Sequence, residues 1–314
     1  MRLAVLSDIH GNLPALEAVL QELQRWDISG IIVAGDFIGG PQPIETIRRL
    51  QSLRTWMIRG NSDENLLRYG NGLAPKAWYS SRQFALLRWA HRHVDRDTFD
   101  FLQSLPLQRA VHVQGATAIR VVHGSPRDPY ESIFPEREPA TLDAALAQVD
   151  EPVLVCGHTH IPWKAKRHGR LALNPGAVCG PLNGETGAQY ALLTRQDSHW
   201  QVEHRVVDYD LEQIRRAFRE SGLLDEGGAL ARSFLSSIET GQNVADWFLS
   251  HAYGLAAEAG YEGHSVVPDG IWERAAATFD WEATTGPGAA RQLSGRGSRM
   301  QREIPYSSGS QIAS

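Results

Sequence analysis

The chain has 314 residues, 42% hydrophobic and 21% charged, ample for one large core or a core with a smaller companion. A net charge of −5 and a pI near 6.2 exclude a global attraction to nucleic acid or anionic lipid. No run reaches the ~20 apolar residues of a membrane span or the ~7–15 of a signal-peptide core, and two cysteines make no disulfide framework. A cytoplasmic protein in a reducing compartment is therefore expected.

Residues 3–6 read as a short buried strand that stops at Ser7-Asp8. Apolar residues then recur at Leu13, Leu16, Val19, Leu20 and Leu23, which predicts a helix over 13–26 with Asn12 as its cap and Pro14 in its first turn. A second strand, 31–34, ends at Gly35-Asp36. Helical spacing returns over 44–53, and a third strand, 55–58, ends at Arg59-Gly60-Asn61. This alternation implies parallel β-α-β units, whose ligands gather at the carboxyl ends of the strands. Residues 75–105 look mostly helical, and Trp78 and Trp89 belong to a core there, as does Trp247 further on.

The pattern then changes. Short strands follow at 111–113, 118–122, 153–156 and 171–173, with one helix over 142–149. Residues 190–193 and 200–207 form a hairpin across a polar turn, 195–199. Two sheets packed face to face with helices outside accommodate both halves. From 208 to 283 the chain reads as a helical appendage, a lid or an oligomer contact. It is acidic, with 14 Asp and Glu against six Arg between 205 and 282. Residues 284–314 are Gly-, Ser- and Arg-rich and are expected to be disordered.

Five short motifs carry the chemistry: Asp8-Ile9-His10-Gly11-Asn12, Gly35-Asp36, Gly60-Asn61-Ser62-Asp63, His123-Gly124 and Gly157-His158-Thr159-His160. Asp8 and His10 lie two apart, so in extended chain they would share one face and grip one ion; His158 and His160 repeat the spacing. A carboxylate such as Asp36 can bridge two cations, and Asn61 offers a neutral carbonyl oxygen. Imidazoles mixed with carboxylates suit borderline divalent ions better than Ca²⁺. Asn12 and Arg59 are second-rank candidates, read as a helix cap and the partner of a surface carboxylate. Cys156 lies in an apolar strand and reads as a small buried hydrophobe.

These motifs resemble the calcineurin-like metallophosphoesterase superfamily, whose pattern is D-x-H, G-D, G-N-H-[DE], H and G-H-x-H. The chain is most similar to the smaller bacterial branch opening S-D-x-H-G-N, present here from Ser7 to Asn12. The resemblance covers residues 1–207. It implies a four-layer α/β/β/α sandwich with two divalent metals, Mn²⁺ first, with Fe, Zn or Ni as alternatives. By that resemblance Asp8, His10, Asp36 and His160 hold one ion, and Asp36, Asn61, His123 and His158 the other. A hydroxide bridging the pair attacks phosphorus, and the implied activity is hydrolysis of a small phosphodiester or phosphomonoester. Asn174-Pro175-Gly176 resembles a loop that this branch sets beside the site; a tight turn between strands is the other reading.

One departure matters. Many members carry His after the Gly-Asn pair, and this chain has Ser62 followed by Asp63. A hydroxyl cannot supply a proton near neutral pH as an imidazole does, so the acid role passes to a metal-bound water or to Asp63. Asp36, Asn61, Asp63 and His123 are accordingly the candidate catalytic residues. A nuclease or dinucleoside-polyphosphate hydrolase competes with this reading, against the lack of a basic stripe. So does a protein-interaction scaffold, against the presence of every ligand. The partner is a small phosphoester, with neither membrane nor nucleic acid, and a homo-oligomer is compatible with the acidic helices.

Overall fold

A computed structural model of the chain describes residues 1–197 and 199–284, so the tail expected to be disordered lies outside the described residues apart from Thr284. The central strand β1 (Arg2–Leu6) is buried on both faces. Leu3 and Val5 point into an apolar layer shared with a second sheet, while Ala4 and Leu6 point at helices. It is followed by α1 (Leu13–Leu23), β2 (Ile28–Val33), α2 (Pro43–Gln51) and β3 (Thr55–Met57), with β1, β2 and β3 parallel. Asn12 caps α1 by accepting from the Ala15 N–H at 3.1 Å, and the predicted stripe, Leu16, Val19, Leu20 and Leu23, is the face it buries.

Next come α3 (Asn61–Gly70), α4 (Lys76–Ser80), a 3₁₀ turn (Arg82–Phe84), α5 (Ala85–His93) and α6 (Arg96–Ser104). The sequence reading assigns no helix to α3. It opens on Asn-Ser-Asp-Glu-Asn and buries apolar residues only at Leu66 and Leu67, too few for a periodic stripe. Trp89 is fully buried, and Trp78 and Trp247 pack part-buried against apolar clusters.

The second sheet is built from β4 (Gln108–Val111), β5 (Ile119–Val122), β6 (Val153–Val155), β7 (Trp163–Arg167) and β8 (Arg170–Asn174) in the order β4-β5-β6-β8-β7, with α7 (Pro139–Leu146) inserted after β5. β7 was not expected from sequence. It is an edge strand whose exposed Lys164 and Lys166 alternate with half-buried neighbours, a pattern that discourages pairing with other chains and masks the strand signal. The hairpin β9 (Ala188–Gln196) and β10 (His199–Val207) returns to the first sheet, giving β10-β9-β1-β2-β3. Its strands run longer than expected: Arg195, Gln196 and His199, assigned to the turn, are ladder residues, with Arg195 opposite Trp200 and Gln196 opposite His199.

Leu3, Val5, Ile32, Val121, Val155 and Leu193 fill the space between the sheets, and α7 covers the far side through Leu142, Ala145 and Leu146. Helices, sheet, sheet and helix form the four layers foreseen. Four more helices follow: α8 (Leu211–Glu220), α9 (Leu223–Thr240), α10 (Val244–Glu258) and α11 (Asp269–Thr278). Ile214, Phe218, Leu223, Ala231 and Ile238 of α8 and α9 belong to the same apolar cluster as α1 and β1, so the core runs on past residue 207. α10 and α11 have a separate cluster in which Phe248 meets Trp272, Phe279 and Trp281 at ring-centroid distances of 5.0, 5.5 and 5.6 Å.

Removing the Phe248 ring should cost about 3–5 kcal/mol, by lost burial and the cavity left behind. In Phe248→Ala a denaturant titration followed by tryptophan emission should show an earlier transition. An unmoved midpoint would mean that this ring cluster does not hold the C-terminal pair together.

Candidate metal centre

The parallel strands end on the same side of the sandwich, and the loops that leave them carry the candidate ligands. Asp8 and His10 follow β1, Asp36 follows β2, Asn61 lies beyond β3, His123 follows β5, and His158 and His160 follow β6. The extended geometry expected for the Asp-x-His and His-x-His pairs is not what the structure shows. Asp8 (φ 55°), His10 (43°), Asp36 (57°), His158 (67°) and His160 (56°) all lie in the left-handed region. Such backbone costs on the order of 1–3 kcal/mol per residue and persists only where its surroundings over-determine it. Here the loops brace one another. The N–H groups of Ile9 and His10 donate to the Asp36 carbonyl at 2.9 and 3.0 Å, Cys179 donates to the Asp8 carbonyl at 2.9 Å, and Gly157 donates to the His123 carbonyl at 2.7 Å. Close approach also demands glycine: a Cβ on Gly60 would lie 2.1 Å from Asp36 Oδ1, and one on Gly157 2.0 Å from Ser7 Oγ.

The electrostatics of the cluster follow from its tautomers. Nδ1 of His10 faces the Ile38 carbonyl at 2.7 Å, Nδ1 of His123 the Ala34 carbonyl at 2.7 Å, and Nδ1 of His160 the Gly180 carbonyl at 2.8 Å. A carbonyl only accepts, so each Nδ1 donates and each neutral ring turns its Nε2 lone pair inward. Those atoms converge on Asp8 Oδ1, which lies 3.4 Å from His160, 3.9 Å from His123 and 4.0 Å from His10. This buried oxygen receives no hydrogen bond from the described residues, and the Nε2 atoms of His10 and His160 stand 3.2 Å apart. The cluster therefore requires positive charge.

Titration behaviour registers that demand. Burial opposes charge on His160 and His123, yet Asp8 and Asp36 hold both imidazoles above their ordinary value. Burial pushes the Asp8 carboxyl up, but His160, His123 and His10 together hold it well below the carboxylate range. Burial, with His123 alongside, drives His158 down to about 4, and burial also lowers His10. A divalent cation supplies the same charge without protons, which is the fit expected of a metal site. Among the described residues two groups have donor atoms close enough to hold an ion, Asp8-His10-His160 and Asp8-Asp36-His123, all within 4.8 Å of one another in each. Asp36 faces both halves, with Oδ2 3.6 Å from His10 Nε2 and Oδ1 3.5 Å from His123 Nε2. Asn61 Oδ1 sits between His123 Nε2 at 2.8 Å and His158 Nδ1 at 2.9 Å.

Asp63 is corrected by the structure. It is fully buried, and its two oxygens accept from the N–H groups of Asp36, Gly60, Phe37 and Ile38 at 3.0, 2.8, 3.0 and 3.3 Å. Burial and then the Asp36 charge push its carboxyl up to about 7, against the pull of those donors. With both oxygens occupied and none exposed, it is placed to hold the 36–38 loop against α3, not to protonate a leaving group. Ser62 has the role that sequence reasoning missed: its N–H donates to Asp36 Oδ1 at 2.9 Å and its hydroxyl to Oδ2 at 2.7 Å. The polar start of α3 was the available signal.

The secondary candidates sort cleanly. Asn12 is a helix cap whose amide also donates to the Tyr209 hydroxyl at 3.0 Å. Arg59 pairs with Glu64 at 2.6 Å and donates to the Leu105 carbonyl at 2.7 Å. Asn174 bolts the His158–His160 loop, donating to the Gly157 carbonyl at 2.6 Å and to Thr159 Oγ1 at 3.1 Å while accepting from the Gly176 N–H. Cys156 and Cys179 are free and buried, and burial pushes both thiols up, Cys179 to about 12.

Comparison with known proteins adds an independent line. A family model described as the calcineurin-like phosphoesterase superfamily domain matches residues 1–198. An uncharacterised protein of Methanocaldococcus jannaschii is 28% identical over 229 residues, 67% of this chain and 89% of its own. The phosphodiesterase YfcE of Escherichia coli is 28% identical over 204 residues, 62% of this chain and 87% of its own. A solved metallophosphoesterase from Sphaerobacter thermophilus superposes with a TM-score of 0.62 at 28% identity, covering 77% of this chain and 99% of its own.

Replacing Asp63 by Asn sets an amide NH₂ against backbone donors and should destabilise the fold by about 2–3 kcal/mol. Thermal unfolding of Asp63→Asn would register this as a clearly lower midpoint. A wild-type midpoint would remove Asp63 from its role as the organiser of the 36–38 loop.

Proposed function

The chain belongs to the calcineurin-like phosphoesterase superfamily, and from that premise we propose that it is a metal-dependent phosphoric ester hydrolase working with two divalent cations on a small phosphodiester or phosphomonoester. The observation that carries the reading is the convergence of three Nε2 atoms on the unpartnered Asp8 Oδ1, with Asp36 presenting one oxygen to each half of the cluster. A pair of divalent cations held there, Mn²⁺ first by the resemblance to the family, would supply charge to the phosphoryl oxygens and lower the pKa of a water for attack on phosphorus. The chain's own residues do the rest. Asp8, His10 and His160 serve one half and Asn61, His123 and His158 the other. Asp36 joins them, and Ser62 fixes the orientation of its carboxylate through two hydrogen bonds.

No side chain in this arrangement is assigned as a proton donor to the leaving group. The Ser62 proton is committed to Asp36, and the Asp63 oxygens are committed to backbone N–H groups. Esters of acidic alcohols and phenols should accordingly be the better substrates. The scaffold alternative requires a lost ligand, whereas all seven donor positions are filled by suitable residues. Among the described residues no helix is long and apolar enough to cross a membrane.

The test compares bis-p-nitrophenyl phosphate with p-nitrophenyl phosphate on chelated protein before and after Mn²⁺ is restored. Turnover should vanish on chelation and return with the ion; folded protein that stays inactive with every divalent ion tried would bring the scaffold reading forward. Asp36→Ala should lower kcat/KM by about 10³-fold or more, ~4 kcal/mol of transition-state stabilisation. Ser62→Ala should lose about tenfold, equally for good and poor leaving groups, because its effect passes through Asp36. A loss that grows with leaving-group pKa would instead make Ser62 the acid.

A further inference from the structure

The ligand-bearing loops are not supported evenly. His123 is oriented from inside the sandwich, through the Ala34 carbonyl after β2, and His158 through Asn61 at the start of α3. His10 is likewise held through the Ile38 carbonyl of the loop after β2, but it and His160 also have neighbours on or next to the C-terminal helices. The ring of Phe234, on α9, meets the His10 ring edge to face, with centroids 5.3 Å apart and planes at 82°. His160 is oriented by the Gly180 carbonyl, and Gly180 faces α9, where an added Cβ would be in ordinary contact, 3.4 Å, with Ile238 Cγ1. The same loop is tied to the end of α9 by the Gly184 N–H donating to the Gly241 carbonyl at 2.9 Å. Tyr209, just ahead of α8, accepts a hydrogen bond from the side chain of Asn12, two residues after His10.

α9 is itself divided. Gly228, at φ 62° and ψ −142°, breaks the helix, and the two parts have different neighbours. The first part packs on α5, with Gly227 against Leu86 and Glu226 paired to Arg92. The second carries Phe234 and Ile238 to the site. α9 itself lies beyond residue 198, where the match to the family model stops.

We propose that α9 is a working part of the metal centre, with Phe234 a positioning residue for His10, so that the half-site of His10 and His160 depends on the C-terminal helices while that of His123 and His158 does not. The inference rests on the two-cation reading given above. An edge-to-face ring contact restricts the tilt of the imidazole about the axis that its Nδ1 bond to Ile38 leaves free, so that Nε2 stays aimed at Asp8 and Asp36. Groups that orient a ligating imidazole without touching the ion change affinity by about 10–100-fold when removed.

The test is calorimetric titration of the metal-free full chain with Mn²⁺, with free Mn²⁺ counted by electron paramagnetic resonance. Wild type should take up two ions. Phe234→Ala should weaken one by about tenfold or more and leave the other within about twofold, the weakened ion being the one lost in His160→Ala. Phe234→Tyr, which keeps the ring, should restore the affinity. Phe248→Ala, in the separate aromatic cluster, should lower stability and leave both affinities unchanged. Two undiminished affinities in Phe234→Ala would overturn the inference and leave the proposed function standing. Equal weakening of both ions, matched by Phe248→Ala, would overturn it by reducing the contact to general stability. Wild type that binds no Mn²⁺ would overturn the two-cation reading and this inference with it.

Discussion

At the heart of the molecule Asp8 Oδ1 faces three imidazole nitrogens at 3.4–4.0 Å, with Asp36 and Asn61 close behind. Assembled in neutral form these groups present lone pairs to one another in a buried space, where mutual repulsion is poorly screened. Much of the surrounding structure can be understood as what is needed to hold them together. Backbone carbonyls of residues 34, 38 and 180 fix three ring orientations, four N–H groups hold Asp63, and Asp63 in turn holds the loop that presents Asp36. The left-handed backbone at five of the seven candidate ligands stores strain that these braces must offset. A site of this kind is costly to the apo fold and gains what it lacks when a cation enters.

The sandwich was legible in the sequence because its strands are short, apolar and each end on a polar motif. The helix stripe from Leu16 to Leu23 is a direct print of periodicity, and β1 reads as an unbroken apolar run because both of its faces are buried. What escaped had no such print. α3 begins inside the site and is polar there, and β7 is a short edge strand with only Trp163 and Ala165 apolar. The order of the candidate ligands along the chain is given by the motifs, but their backbone geometry is not. Extended chain explains a spacing of two as well as a left-handed turn does, and only the cross-loop hydrogen bonds decide between them. Ser62 and Asp63 show the same limit: spacing marked the motif, while packing determined which side chain meets Asp36 and which meets backbone.

The C-terminal helices qualify the division of the chain into core and appendage. α8 and α9 share the apolar cluster of β1 and α1, whereas α10 and α11 keep to their own. The acidic residues of this segment lie in part on an exposed face, with Glu212 paired to Arg215 and Arg219. The acidic composition gave no sign of Phe234, whose ring meets the candidate ligand His10. Composition averages over a segment, and a site is made by individual residues.

The two cysteines give this arrangement an internal gauge. Cys156 directly precedes the Gly157–His160 loop, and the Cys179 N–H holds the Asp8 carbonyl. Both thiols are sealed from solvent and kept protonated, so neither reacts while the loops stay braced. Alkylation at either position therefore requires the frame around Asp8 and His158 to part, and its rate counts those openings. Without any introduced label, the native chain carries a chemical clock for the breathing of its own centre.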